Sequence, residues 1–128
     1  MLRTLTPLRI AKFVILSIFI SASCSISAGE ADVVRVVIKK TSNGEFRIDT
    51  TVRHGDTGWD HYADRWDVVA PDGTVLGSRI LHHPHENEQP FTRSLTLAIP
   101  ANISEVTVRA HDSVDELGGK EILVAVPH

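Results

Sequence analysis

The chain has 128 residues, with thirteen Lys and Arg against sixteen Asp and Glu, a net charge of −3, and a single cysteine. That length suits one domain with one core, and one cysteine excludes an intrachain disulfide. The acidic balance argues against nucleic acid or an anionic lipid surface as partner.

The first segment reads as an address label. Arg3, Arg9 and Lys12 precede the apolar run "FVILSIFI" (Phe13–Ile20) and then small residues, "SASCSISAGE". A basic start, a short apolar stretch and a small-residue exit describe a secretory signal. The run is shorter than the roughly 18 residues of a membrane-spanning helix. Cleavage is expected after Ala28, giving a signal peptide over 1–28 and a periplasmic or secreted domain over 29–128. The alternative is a lipoprotein anchored through Cys24, although Ser21 stands where such signals usually carry Leu. Without the leader, ten Lys and Arg face sixteen Asp and Glu, and all seven histidines stay in the domain.

From residue 32 onward the pattern is strand and turn. "VVRVVIKK" places Val34, Val36 and Ile38 on one face, and "EFRIDTTV" alternates Phe46, Ile48, Thr50 and Val52 with Arg47, Asp49 and Thr51, as half-buried strands do. Asn43-Gly44 between them is a hairpin signal. "YADRWDVVA" puts Tyr62, Asp64, Trp66 and Val68 on one face, and "PDG" (Pro71–Gly73) turns into "TVLGSRIL". "FTRSLTLAI", "SEVTVRAH" and "KEILVAV" complete seven strands. Seven short strands in about a hundred residues predict an all-β, antiparallel two-sheet sandwich, with Trp66, Val36, Ile48, Leu95, Val108 and Val124 in its core.

Trp66 on the third strand stands where immunoglobulin-like domains bury an aromatic. Without a cysteine pair beside it, the architecture resembles a fibronectin type III domain. The segment "TVRHGDTGWDHYADRWDVVAPDGTVLG" with "HPHENEQPFTRSL" is also similar to a family of small uncharacterised exported bacterial proteins. That resemblance implies one exported domain and no particular chemistry.

Up-and-down strands alternate their connections between two poles. One pole receives "SNGE", "PDG" and "PAN"; the other receives 54–61, 82–90 and 111–119, with His54, His61, His82, His83, His85 and His111 and the carboxylates Asp56, Asp60, Glu86, Glu88, Asp112, Asp115 and Glu116. Imidazoles so gathered can serve as zinc or copper ligands, with carboxylates completing the shell. Pro84 favours an extended His83, and residues two apart then point the same way, so His83 and His85 form the expected chelating pair. The third donor is expected from His54, His61 or His111. The competing readings are a polar loop and a contact surface for a protein or small ligand, carried by Trp59, Asp60, Glu86 and Glu88. Asp64 and Arg93 fall on core-facing positions, where a bare charge is costly, so each is expected to be paired. Ser78, Ser94, Ser104 and Ser113 lack a nucleophile-elbow context. The expectation is therefore a non-catalytic binding or accessory module acting through the histidine pole; a periplasmic zinc or copper carrier is the alternative, ahead of a hydrolase.

Overall fold

The computed structural model describes residues 29–128. The signal reading of 1–28, with Cys24 and the cleavage point, lies outside those residues. The strands are β1 (Asp32–Lys40), β2 (Phe46–Arg53), β3 (Ala63–Val69), β4 (Val75–Ile80), β5 (Phe91–Leu97), β6 (Glu105–Asp112) and β7 (Ile122–Ala125). They form two antiparallel sheets, β1-β2-β5 and β4-β3-β6-β7. The fourth strand thus lies beside the third and not across on the first sheet. Among the described residues no helix is long and apolar enough to cross a membrane.

The period of two decides what fills the space between the sheets. In β2, Phe46, Ile48, Thr50 and Val52 are buried, while Arg47 and Arg53 are exposed. In β6, Val106, Val108 and Ala110 face inward, with Thr107 and Arg109 opposite. Trp66, Phe46 and Phe91 are the largest fully buried side chains. Ile48 and Val108 are buried with them, and Val36, Leu95 and Val124 pack partly buried against that cluster. Burying apolar surface stabilises by about 25 cal/mol per Å², so these alternating positions supply the main favourable contribution to folding.

Two bulges shift parity away from the expectation. An irregularity between Val33 and Arg35 in the β1–β2 pairing puts Val33, rather than Val34, in the core. A second, between Ala63 and Arg65 in the β3–β6 pairing, makes Ala63 a buried residue and frees Asp64 from the Trp66 face. An extra residue on one strand of a pair does this by breaking the strict alternation. Asp64 instead accepts from His111 Nδ1 at 2.6 Å. Arg93 is paired as expected, but with Glu88 and His85 at the loop pole, and its guanidinium lies 5.6 Å from the Phe91 ring centroid.

On the outward face of β3, Asp67 is only 2% exposed. Its Oδ1 accepts from Ser78 Oγ at 2.6 Å and Arg65 Nε at 3.1 Å, and its Oδ2 from Arg109 Nε at 3.1 Å. Burial opposes its ionisation, but these donors outweigh burial and hold the carboxyl below 3.8. The acid thereby laces β3 to β4 and β6.

Trp66→Ala is expected to cost about 3–5 kcal/mol in denaturant melts, the usual range for emptying a large aromatic site. A loss under about 1 kcal/mol would contradict the observed burial. Because Asp67 has a folded pKa below its unfolded value, its share of stability is full above the ordinary carboxylate range. That share is lost as pH falls through the folded value. Asp67→Asn should therefore flatten the acid limb of a stability–pH curve, read by thermal melts between pH 5 and 2.

Candidate metal centre

Alternation carried beyond the strand ends builds the centre. The buried face of β2 continues through His54 and Asp56, and that of β6 ends on Asp112, so all three side chains lie beneath the loop pole. The 54–61 loop then folds back. Asp56 N donates to His54 O at 2.9 Å, Thr57 N to His61 O at 3.0 Å and His61 N to Gly58 O at 3.3 Å. Gly58 has a φ of 112°, a conformation that suits glycine. This reversal returns His61 to His54: their Nε2 atoms are 3.3 Å apart. The 113–121 connection is equally tight. Asp112 and Glu116 exchange backbone hydrogen bonds, and Asp112 Oδ1 accepts from Val114 N at 3.0 Å and Asp115 N at 2.7 Å.

Ligand atoms of His54, His61 and Asp112 lie within 4.8 Å of one another. His61 Nε2 is 3.0 Å from Asp112 Oδ1 and 3.2 Å from Asp115 Oδ2, and His54 Nε2 is 3.0 Å from the Gly29 carbonyl oxygen. Tetrahedral zinc with bonds near 2.0 Å has ligand–ligand edges of about 3.3 Å, and the His54–His61 and His61–Asp112 separations are close to that. Asp112 Oδ2 is buried without a hydrogen-bond partner, an acceptor suited to a cation.

Proton positions strengthen the case. His54 Nδ1 is 2.5 Å from Asp56 Oδ1, with both side chains fully buried. Burial pushes the Asp56 carboxyl up, but the His54 bond and the N–H groups of His85 and Ala63 outweigh it and hold the pKa below 3.8. Asp56 is therefore an acceptor, and His54 Nδ1 carries the donated proton. A neutral His54 then presents the Nε2 lone pair to the Gly29 oxygen and to His61. That contact is satisfied by a second proton, donated from His54 Nε2 to the Gly29 oxygen, or by a metal ion between them. Burial of the His54 ring opposes the extra proton, yet the Asp56 bond, the charges of Asp56 and Asp112 and the Gly29 carbonyl outweigh it and raise the pKa above 6.5. A carboxylate behind one nitrogen of a ligating histidine is also the usual outer support of a bound metal.

Of the five histidines expected to ligate, the structure brings together His54 and His61. The proposed His83–His85 chelate does not form. The rings are neighbours, with centroids 4.8 Å apart, but His85 is stacked on Phe91 at 4.0 Å and its Nε2 faces Arg93 Nη2 at 3.0 Å. Burial, then the Arg93 and His83 charges, lowers the His85 pKa. A neutral His85 accepting from a guanidinium has no lone pair to offer a cation. His82 and His83 are exposed, and His111 is engaged by Asp64. The contact residues lie beside the centre. Trp59 is 66% exposed and meets the Tyr62 ring edge-on at 5.5 Å. A groove of about 470 Å³ runs between Trp59, Gly58, His83, Glu86 and Glu88. Asp60, in the same loop, accepts at its backbone oxygen from Ser113 Oγ at 3.5 Å.

Sequence reasoning placed Asp56, Asp112 and Asp115 at this pole without assigning any of them as a ligand, and it missed Gly29. Asp56 and Asp112 carried a sharper signal, since the alternation from Phe46 and from Val106 reaches each of them. Gly29 carried none.

Among known proteins, the chain is similar to one named "Putative lipoprotein" from Halomicrobium mukohataei, with 39% identity over 95 residues. The match covers 74% of this chain and 47% of the relative, so the chain spans about half the length of the curated relative it matches. No family model and no solved structure matches.

Asp56→Ala removes the partner of His54 Nδ1 and of the buried Ala63 and His85 N–H groups. It should cost about 3–5 kcal/mol in denaturant melts, as breaking a buried pair does. In metal-free protein the raised His54 pKa contributes stability that is full below pH 6.5 and declines as pH rises through the folded value. An NMR titration should place the His54 midpoint above 6.5; a lower midpoint would contradict the described partners.

Proposed function

We propose that this domain is an exported, non-catalytic binding or accessory module whose loop pole is organised by one divalent metal ion. The ion is held by His54, His61 and Asp112, with Asp115 at the open side. The observation that carries this reading is the convergence of two imidazole Nε2 atoms and a buried carboxylate on one point, backed by Asp56. Zinc or copper suits nitrogen and carboxylate donors. The ion's role is to lock the 54–61 and 112–116 loops and so fix Trp59 and the adjoining groove as the contact surface. Although His54 and Asp56 form the pair familiar from catalytic triads, the free nitrogen faces His61 and a carbonyl and not a hydroxyl. That arrangement supports ligation over proton transfer to a nucleophile.

The carrier reading differs in making the ion cargo. The fully buried His54 ring, together with loops knitted through the same residues, supports a structural ion over a freely exchanged one. The three-plus-four strand order supports the fibronectin type III-like assignment. For location, the name of the relative favours lipid attachment through Cys24 over cleavage after Ala28. Mass spectrometry of the exported chain decides this: a diacylglycerol-modified Cys24 at the N-terminus is the expected result, and an N-terminus at Gly29 would overturn it.

Calorimetric titration with zinc and with copper tests the centre. The wild type and His83→Ala should bind one ion alike, while His54→Ala and His61→Ala lose most of the affinity. Equal weak binding by all four proteins would reduce the centre to a hydrogen-bonded loop contact. Affinity should fall as pH drops, because protonated imidazole does not ligate. The fall should begin above 6.5 because of the raised His54 pKa.

A further inference from the structure

We propose that the Gly29 carbonyl oxygen is a further ligand of this ion, so that metal binding fastens residues 29–33 across the loop pole. The inference rests on the metal reading of His54, His61 and Asp112.

Gly29 O stands 3.0 Å from His54 Nε2. With the Nδ1 proton given to Asp56, a protonated His54 donates Nε2–H to that oxygen, whereas a neutral one turns a lone pair towards the oxygen's lone pairs. A cation between them converts the repulsion into two bonds. Bonds near 2.0–2.1 Å set ligand–ligand edges of about 2.9–3.4 Å, depending on coordination number, and the separation lies within that range. Carbonyl oxygen is a harder donor than imidazole, but zinc accepts oxygen ligands at similar lengths.

The entry segment reaches the pole because the far loop of the other sheet receives it. Val33 N donates to Lys120 O at 2.8 Å, and Lys120 N donates to Asp32 Oδ1 at 2.7 Å. Ala31 is buried. Its carbonyl oxygen comes so near Gly119 that a Cβ there would stand 2.0 Å away, and 2.9 Å from Asp32 Oδ1. Only a residue without a side chain permits that approach. Gly29 itself has a φ of 67°, the left-handed conformation that presents its carbonyl to His54.

The ligands then come from three separate stretches: the entry to β1, the β2–β3 loop and the end of β6. β1 and β2 belong to one sheet, and β6 to the other. An ion held by all three clasps the two sheets at this pole and closes the start of the domain against them. Metal-loaded and metal-free protein therefore differ most at the entry segment, residues 29–33, even though Ala31 and Val33 within it pack into the core.

A backbone oxygen has no side chain to delete, so Gly119 provides the lever. In the full chain, zinc titration of the wild type and Gly119→Ala is combined with hydrogen exchange of the peptide spanning residues 29–34. Zinc should slow exchange of that peptide at least about tenfold in the wild type. Gly119→Ala should lower zinc affinity by about 10–100-fold, the range for disturbing the support of a metal ligand, with Trp66 fluorescence unchanged. Gly44→Ala, at the opposite pole with open space around its Cβ, should bind zinc as the wild type does. If Gly119→Ala fails to fold, Asp32→Ala frees the same segment and should weaken zinc binding in the same direction. Wild-type zinc affinity in these variants, with no change in exchange at residues 29–34, would overturn the clasp and leave the His54–His61–Asp112 ion standing. Absence of zinc binding by the wild type would overturn both.

Discussion

The Asp56 carboxylate receives hydrogen bonds from three separate places: the His54 ring, Ala63 N at the start of β3 and His85 N in the β4–β5 loop. A buried acid held this way stays ionised because its donors outweigh the desolvation that opposes charge. Each donor is in turn placed by it. His54 is fixed in ring orientation and tautomer, the first residue of β3 is satisfied, and the 82–90 loop is drawn down onto the pole. Gln89 completes the stitch by accepting from His54 N and donating to His85 O, both at 3.0 Å.

The dependence explains how histidines that look alike in sequence acquire different work. His54 has Asp56 behind one nitrogen and a cluster of acceptors before the other, which is the environment of a metal ligand. In the β4–β5 loop, His85 has a ring stacked on Phe91 and a guanidinium against its outer nitrogen. It serves packing and anchors Arg93. His111 meets a single carboxylate, Asp64, on the outer face of the four-stranded sheet. Charge and lone-pair geometry separate these roles, and residue type does not.

The same contrast runs between the two poles. At the pole of the hairpin turns, backbone hydrogen bonds close the connections, such as Thr41 N to Glu45 O and Ala70 N to Thr74 O, both at 2.8 Å. Side chains only supplement them there, as where Asp72 Oδ1 accepts from Thr74 N at 2.9 Å. The loop pole has longer connections, and charged and imidazole side chains do the closing. Loops closed by titratable groups respond to protons and to cations; loops closed by backbone do not. The contacts at the histidine end are therefore the ones that respond to solution conditions.

Much of the architecture was legible in the sequence because it rests on local rules. Period-two runs from Phe46 and from Glu105, turn dipeptides at Asn43-Gly44 and Asp72-Gly73, and the count of seven strands define a sandwich. Simple up-and-down parity correctly gathered the histidine-bearing loops at one end. What failed locally were the bulges beside Val33 and Ala63, where one extra residue reverses the faces and no composition signal marks the place. Of the centre, His54 and His61 were within reach of sequence reasoning, and Asp112 would have been if the alternation of β6 had been followed one residue further. The pairing of His61 with Asp112, fifty-one residues away, and the approach of Gly29 to His54 depend on how two sheets and three loops meet. Those separations are set by packing across the whole domain. The sequence by itself determined the strands, the core face and the pole; the tertiary structure decided which side chains there share a point in space.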